Sequence, residues 1–186
     1  VVFVEHAFPR NQRDFVRALR SVGASVTAIG ESPSEALDSE LKGWLSGYEQ
    51  VGSVTNGEAL LAAVKRIQSR GWVDRLETTV EAHIMPCAWV REQTASPGAP
   101  TRAAWLCRDK PAMEDALRDA GIATAQSLGT ASSEEAKAFI AKVGYPVILK
   151  PRDGAGAAGT CRANAHNHPV DGVDTATTCA VARHNW

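Results

Sequence analysis

The chain has no CxxC pair, no cluster of lysine or arginine and no long apolar run, and each absence narrows what it can be. Its four cysteines stand at 87, 107, 161 and 179, too far apart to spell a zinc ribbon or a redox dithiol, which fits a reducing compartment such as the cytoplasm. With a formal net charge of -1 and no basic patch, the chain offers no electrostatic footprint for nucleic acid. No segment has the length of a membrane span, and no charged-then-apolar leader opens the sequence. The first residues are Val1-Val2-Phe3-Val4 without a methionine, which we read as an incomplete rather than a processed terminus. What remains, 186 residues with 44% hydrophobic and 22% charged content, suits one ordinary soluble domain or two small ones.

Val1 to Val4 reads as a buried strand, followed by a helix opened by Pro9 with Phe15, Val16, Leu19 and Val22 at helical spacing up to Gly23. Ala24 to Ile29 reads as the next strand, and this βαβ order requires a parallel sheet with a right-handed crossover. Residues 32–47 read as irregular to helical. A third strand is expected over Val51–Val54 and a helix after Asn56-Gly57 carrying Leu60, Leu61, Val64 and Ile67. A fourth strand is expected over Val73–Val80 and a helix over Glu81–Gln93. Residues 1–93 thus form an open α/β domain, and 94–101, with Pro97, Gly98 and Pro100, have the composition of a linker.

Beyond the linker, Asp109 is placed to cap a helix with Pro111 in its first turn, running to Gly121. Thr124–Ser127 reads as a short strand, and Ser132 with Glu135 reads as a capping box for a helix that ends at Gly144. An apolar strand, Val147-Ile148-Leu149-Lys150, then runs into Pro151-Arg152-Asp153-Gly154-Ala155-Gly156-Ala157-Ala158-Gly159-Thr160. Closely spaced glycines let successive N–H groups turn toward one anion, and the strand-end lysine adds a full positive charge, so this is the candidate phosphate cradle. Its spelling Gly154-x-Gly156-x-x-Gly159, with Asp174 about 20 residues on, also matches the dinucleotide fingerprint. That fingerprint needs a helix to begin within the glycines, and the segment ahead holds His168-Pro169 and no apolar period. The Walker pattern is absent, because no Gly-Lys-Ser/Thr follows.

Cys107-Arg108-Asp109-Lys110-Pro111-Ala112-Met113, then Gly121-Ile122-Ala123-Thr124-Ala125, then Gly144 to Pro151 with the glycine loop, resemble the opening half of an ATP-grasp domain. Biotin carboxylase, carbamoyl-phosphate synthetase and the amino-acid ligases carry such motifs. The resemblance covers about residues 104–160, and residues 1–93 are similar to the α/β domain that precedes the module. It implies an open parallel-sheet pre-ATP-grasp domain followed by the start of an ATP-grasp domain. It also implies that Lys110, Lys150, Gly154, Gly156 and Gly159 contact ATP phosphates. The implied activity is ATP-dependent ligation of a carboxylate with an amine or related nucleophile through an acyl phosphate, with ATP and Mg²⁺ as cofactors and small molecules as partners.

No Mg²⁺ ligand and no catalytic residue is assigned in this chain, and Cys161, His166, His168, Cys179 and His184 match no metal-site spacing. Residues 161–186 hold three of the five histidines and no leucine or isoleucine, so they read as an irregular tail foreign to the family, left by a truncation or frameshift near Thr160. On that reading residues 102–160 are a partial ATP-binding subdomain, expected to bind ATP weakly or not at all and to lack turnover alone. Apolar faces left uncovered would favour a homodimer or aggregation. Two other functions stay open at this point, a dinucleotide-binding oxidoreductase domain and a non-catalytic α/β fragment. Glu5 with His6, and Glu81 with His83, fall near strand ends where open sheets bind ligands, but a helix-entry or surface role is the favoured reading of them.

Overall fold

The computed structural model describes residues 1–152, 159–164 and 179–183, the last of these as backbone. The chain divides into two compact units, residues 1–104 and 105–186. Unit 1 holds a parallel sheet of β1 (Val2–Val4), β2 (Thr27–Gly30), β3 (Gly47–Gln50) and β4 (Leu76–Glu77) in the order β3-β2-β1-β4. Its helices are α1 (Gln12–Ser21), α2 (Ser39–Trp44), α3 (Gly57–Gln68) and α4 (Ile84–Thr94). β1 is buried along its whole length because crossovers cover both faces of a parallel sheet. One core joins Val2, Val4 and Ile29 to Leu60, Val64 and Ile67 of α3, and the other packs Phe3 and Val26 on Val16 and Leu41.

Several boundaries differ from the sequence reading. α1 begins at Gln12 rather than at Pro9, and of its expected apolar face Val16 is buried, Phe15 stacks on Phe3 at 6.2 Å, and Val22 stands exposed. The third strand forms four residues ahead of Val51–Val54. Val51 and Val54 do enter the core, but as loop residues, and burial without pairing imitates a strand in the pattern. The true strand carries Glu49, whose carboxylate is held by Arg66 at 3.0 Å and by Arg70, so a charged strand residue is accommodated. β4 is only two residues long, and Arg91 of α4 donates from Nη1 to the Leu76 carbonyl at 2.6 Å. The same guanidinium donates from Nε to Ala99 O at 3.2 Å, and Glu92 accepts from the Thr101 amide at 2.7 Å. The Pro- and Gly-rich stretch is thereby fastened to unit 1. A helix not foreseen, α5 (Thr101–Arg108), follows it.

Unit 2 contains α6 (Lys110–Asp119), β5 (Gln126–Thr130), α7 (Ser133–Val143), β6 (Val147–Pro151), β7 (Cys161–Ala163) and β8 (Cys179–Arg183). The sheet order is β5-β8-β6-β7, each pairing antiparallel. Ala136, Ile140 and Val143 of α7 pack on Val147 and Leu149 of β6 and Ala163 of β7. Ser132 caps α7 as expected, accepting from the Glu135 amide at 3.3 Å. The Glu135 side chain does not close the box; it accepts from the Thr130 hydroxyl, and the Ser132 amide donates to Thr130 Oγ1 at 2.9 Å.

β7 and β8 lie in the segment read as irregular. Both strands are short and poor in large apolar residues, so their pairing with β6 and β5, not their composition, makes them strands. β7 also corrects the dinucleotide reading. Cys161 returns antiparallel opposite Leu149, so a hairpin and not a helix follows Gly159. Among the described residues no helix is long and apolar enough to cross a membrane.

Candidate functional site

In unit 2 the start of α6 meets the end of β6. Asp109 holds extended backbone before the helix, and its Oδ1 accepts from the Ala112 amide at 2.9 Å, the N-cap that the sequence placed there. Pro111 follows in the first turn, where its missing N–H costs nothing. The Lys110 amide donates to the Arg152 carbonyl at 3.3 Å and Lys110 Nζ donates to the same oxygen at 3.4 Å. Lys150 lies near the end of β6 and Arg152 directly follows the strand. Their partners come from α6 and its N-cap: Lys150 Nζ lies 3.5 Å from Glu114 Oε1, and Arg152 Nε donates to Asp109 Oδ2.

The structure therefore brings Lys110 and Lys150 to one place, the contact between α6 and the end of β6. Of the three glycines, Gly159 has φ +67, a left-handed conformation, and a Cβ there would meet Pro151 Cγ at 2.8 Å. Gly154 and Gly156 lie outside the described residues. Three further contributors were not singled out from sequence: Asp109 as ion-pair partner, Glu114 and Arg152. The signal for Glu114 was its i+4 spacing from Lys110, and for Arg152 its place directly after the strand that carries Lys150.

Burial pushes the Asp109 carboxyl upward, but the hydrogen bonds from Arg152 and the Ala112 amide, with the charges of Arg152 and Lys110, outweigh it and leave it below the usual range. Asp109 thus stays ionised. Glu114 is buried, its Oε2 without a hydrogen-bond partner, so Lys150 has a fixed carboxylate beside it. Two ammonium groups, a guanidinium and a helix N-terminus at the foot of a glycine turn make a donor set suited to polyphosphate.

Unit 1 gathers the other residues singled out from sequence. His6 follows β1 and is buried, with neither ring nitrogen hydrogen-bonded; His83 ends the single-turn helix Glu81–His83 after β4 and is buried with Nδ1 unpartnered. Burial lowers the pKa of His6 below 6.5, against the opposing Glu5 charge, and the Ile29 carbonyl lies near the ring without hydrogen-bond geometry. Burial lowers His83 likewise, against Glu5 and Glu31. Below about pH 6.5 the unfolded chain takes up protons that these folded rings resist, so the stability of unit 1 falls with pH there and is level above it. Denaturation midpoints of unit 1 are expected to drop between about pH 7.5 and 5.5, and to drop less in the His6→Asn variant. Equal midpoints in the wild type would contradict the burial of neutral rings.

Residues 109–185 match the family described as carbamoyl-phosphate synthase L chain, ATP binding domain. The chain is 30% identical over 94 residues to alanine–anticapsin ligase of Bacillus subtilis strain 168, covering 50% of this chain and 20% of that protein. It is 27% identical over 128 residues to an L-arginine-specific L-amino acid ligase of Bacillus subtilis, covering 69% of this chain and 31% of that protein. In fold it is similar to N5-carboxyaminoimidazole synthetase from Staphylococcus aureus complexed with ADP, with TM-score 0.75 and 16% identity, covering 98% of this chain and 46% of that one. The chain therefore spans less than a third of these curated relatives and under half of the structural one.

Proposed function

Because residues 109–185 match the ATP-binding domain of the carbamoyl-phosphate synthase L chain family, set in the opening portion of an ATP-grasp fold, we propose that this chain supplies the phosphate-holding part of an ATP-dependent carboxylate–amine ligase. The observation that carries the reading is the convergence of Lys110 and Lys150 where α6 meets the end of β6, beside the Gly159 turn.

In this reading Lys110 and Lys150 hold the polyphosphate, Arg152 and the α6 N-terminus add positive potential, and the glycine loop brings backbone N–H groups to the same anion. ATP supplies the phosphoryl group that turns a carboxylate into an acyl phosphate open to an amine. The part played by these residues is positioning and charge neutralisation, which lowers the barrier only where charge builds up. Mg²⁺ belongs to the nucleotide phosphates in this proposal; among the described residues no three His, Cys, Asp or Glu side chains gather as a cation site. A cytoplasmic setting, small-molecule partners and a homodimer are parts of the same proposal.

Titration of the chain with Mg·ATP tests it. Weak, saturable binding is expected, and Lys110→Ala is expected to weaken it about tenfold, the effect of losing roughly 1.4 kcal/mol of a screened charge–phosphate contact. Saturable NADH binding in place of ATP, or ATP binding indifferent to Lys110, would overturn the assignment.

A further inference from the structure

The nucleotide reading gives no task to the amino edge of the unit 1 sheet, where adjoining hollows meet around one side chain, Trp72. Trp72 is 75% exposed, yet the chain on either side of it is anchored, because Ile67 at the end of α3 and Val73 both enter the core. The turn between them is closed twice, by the Arg70 amide on the Ile67 carbonyl at 3.0 Å and by the Gly71 amide on the Gln68 carbonyl at 3.3 Å. A fixed turn therefore holds the indole out. Beside a concave surface, an indole held in water is a stacking platform for an incoming ring.

The hollow of about 360 Å³ beside it runs from the starts of β2 and β3 to Trp72. The two strands are in register there, with Thr27 opposite Gly47. A Cβ on Gly47 would meet Thr27 Oγ1 at 3.2 Å, so the glycine leaves that hydroxyl clear. Ser25 and Ser46 add two more hydroxyls, Arg70 a guanidinium and Trp72 an indole N–H. Among the described residues the side chains of Ser25, Thr27, Ser46 and Trp72 make no hydrogen bond. All of these groups can donate, so the lining asks for an acceptor. Its charge says which kind. Arg66 and Arg70 share the single carboxylate of Glu49, which leaves the trio with one positive charge in excess. Asp74 lines the neighbouring hollow with Trp72 and is not part of this lining. One excess positive charge matches a monoanion, whereas a phosphate dianion would leave half its charge unmatched. The planar guanidinium fork fits the planar carboxylate.

We propose that the hollow between Trp72 and the starts of β2 and β3 binds a small aromatic carboxylate, its ring stacked on the indole and its carboxylate held by Arg70 and the Thr27 hydroxyl. The site lies at the edge of the sheet opposite to Glu5 and His6, goes beyond the nucleotide reading and stands without it.

The test is a titration of the whole chain with sodium benzoate at about pH 7.5, where the carboxylate is ionised. Trp72 is followed by its indole N–H signal in NMR, identified among the five tryptophans by its loss in Trp72→Phe. A saturable shift is expected with benzoate and not with sodium acetate, which has the charge without the ring. Phenol, the ring without the charge, is expected to bind at least about tenfold more weakly. By calorimetry the benzoate dissociation constant should rise at least about tenfold in Arg70→Met and in Trp72→Ala, and about threefold in Thr27→Val. Arg70→Met leaves Glu49 paired with Arg66 at 3.0 Å, so the fold of unit 1 is kept. No saturable shift, equal binding of phenol or inorganic phosphate, or full binding by folded Arg70→Met would overturn the proposal. So would a Trp72 signal that moves with protein concentration alone, since a second copy of the chain would then cover the indole. The comparison of probes on the wild type decides the matter even if a variant does not fold. ATP takes no part in the measurement, so failure of this site and failure of the nucleotide site are seen separately.

Discussion

Arg91→Ala is expected to lower the stability of unit 1 by about 3 kcal/mol or more, read from urea denaturation. The guanidinium is buried, with 6% of the residue exposed, and it donates to the carbonyls of Leu76 and Ala99. Alanine would leave both acceptors without their donor and open a cavity along α4. The ion pair with Glu77, at 3.8 Å, adds little, because Glu77 is 46% exposed and water screens it. The loss therefore comes from orphaned carbonyls, and Glu77→Gln alone should cost under about 1 kcal/mol. Lysine at position 91 should not rescue, since one ammonium cannot reproduce the planar fork that spans β4 and the 95–100 turn. A loss below about 1 kcal/mol for Arg91→Ala would mean that the turn is held by other contacts.

Lys150→Met is the second large effect, and it is expected in two measurements that separate. Mg·ATP affinity should fall by more than about tenfold, as for loss of a direct phosphate contact. Stability of unit 2 should also fall, by about 3 kcal/mol, because Glu114 is buried and loses the cation that compensates its charge. Adding Glu114→Gln removes the stranded charge, so the double variant should regain most of the stability. It should not regain ATP affinity. If the double variant binds ATP like the wild type, Lys150 is a structural partner of Glu114 and not a phosphate ligand. If the single variant is as stable as the wild type, Glu114 is solvated in a way its burial denies.

Much of the fold was legible where local chemistry decides. Asp109, Ser132 and Asn56 each announce a helix start, and each side chain accepts the capping amide, from Ala112, Glu135 and Ala59 respectively. Failures came where tertiary contacts decide. Glu49 hid β3, since its charge is neutralised by Arg66 of α3 and by Arg70 just beyond that helix, 17 and 21 residues away. β8 was invisible because its pairing partners, β5 and β6, are remote in sequence. Lys110 and Lys150, singled out by motif, lie together where α6 meets the end of β6, while the ion-pair partners Glu114 and Asp109 emerge only from that contact. The burial of His6 could not be read either, for a histidine after a strand is as often solvated as enclosed.

The place of β8 between β5 and β6 has a consequence for the order of events during synthesis. Unit 1 is built from successive parallel strands with intervening helices, and every residue it needs has emerged once position 104 has left the ribosome. In unit 2 the strands β5 and β6 share no direct pairing; each waits for residues 179–183 to arrive between them. Until then the hairpin of β6 with β7, its contact with α7 and the contact of α6 with the end of β6 can form, but the four-stranded sheet cannot close. Long-range closure of this kind is slow and leaves strand edges open meanwhile. A nascent chain halted at about position 175 should therefore present a finished unit 1 and an unfinished, protease-sensitive unit 2.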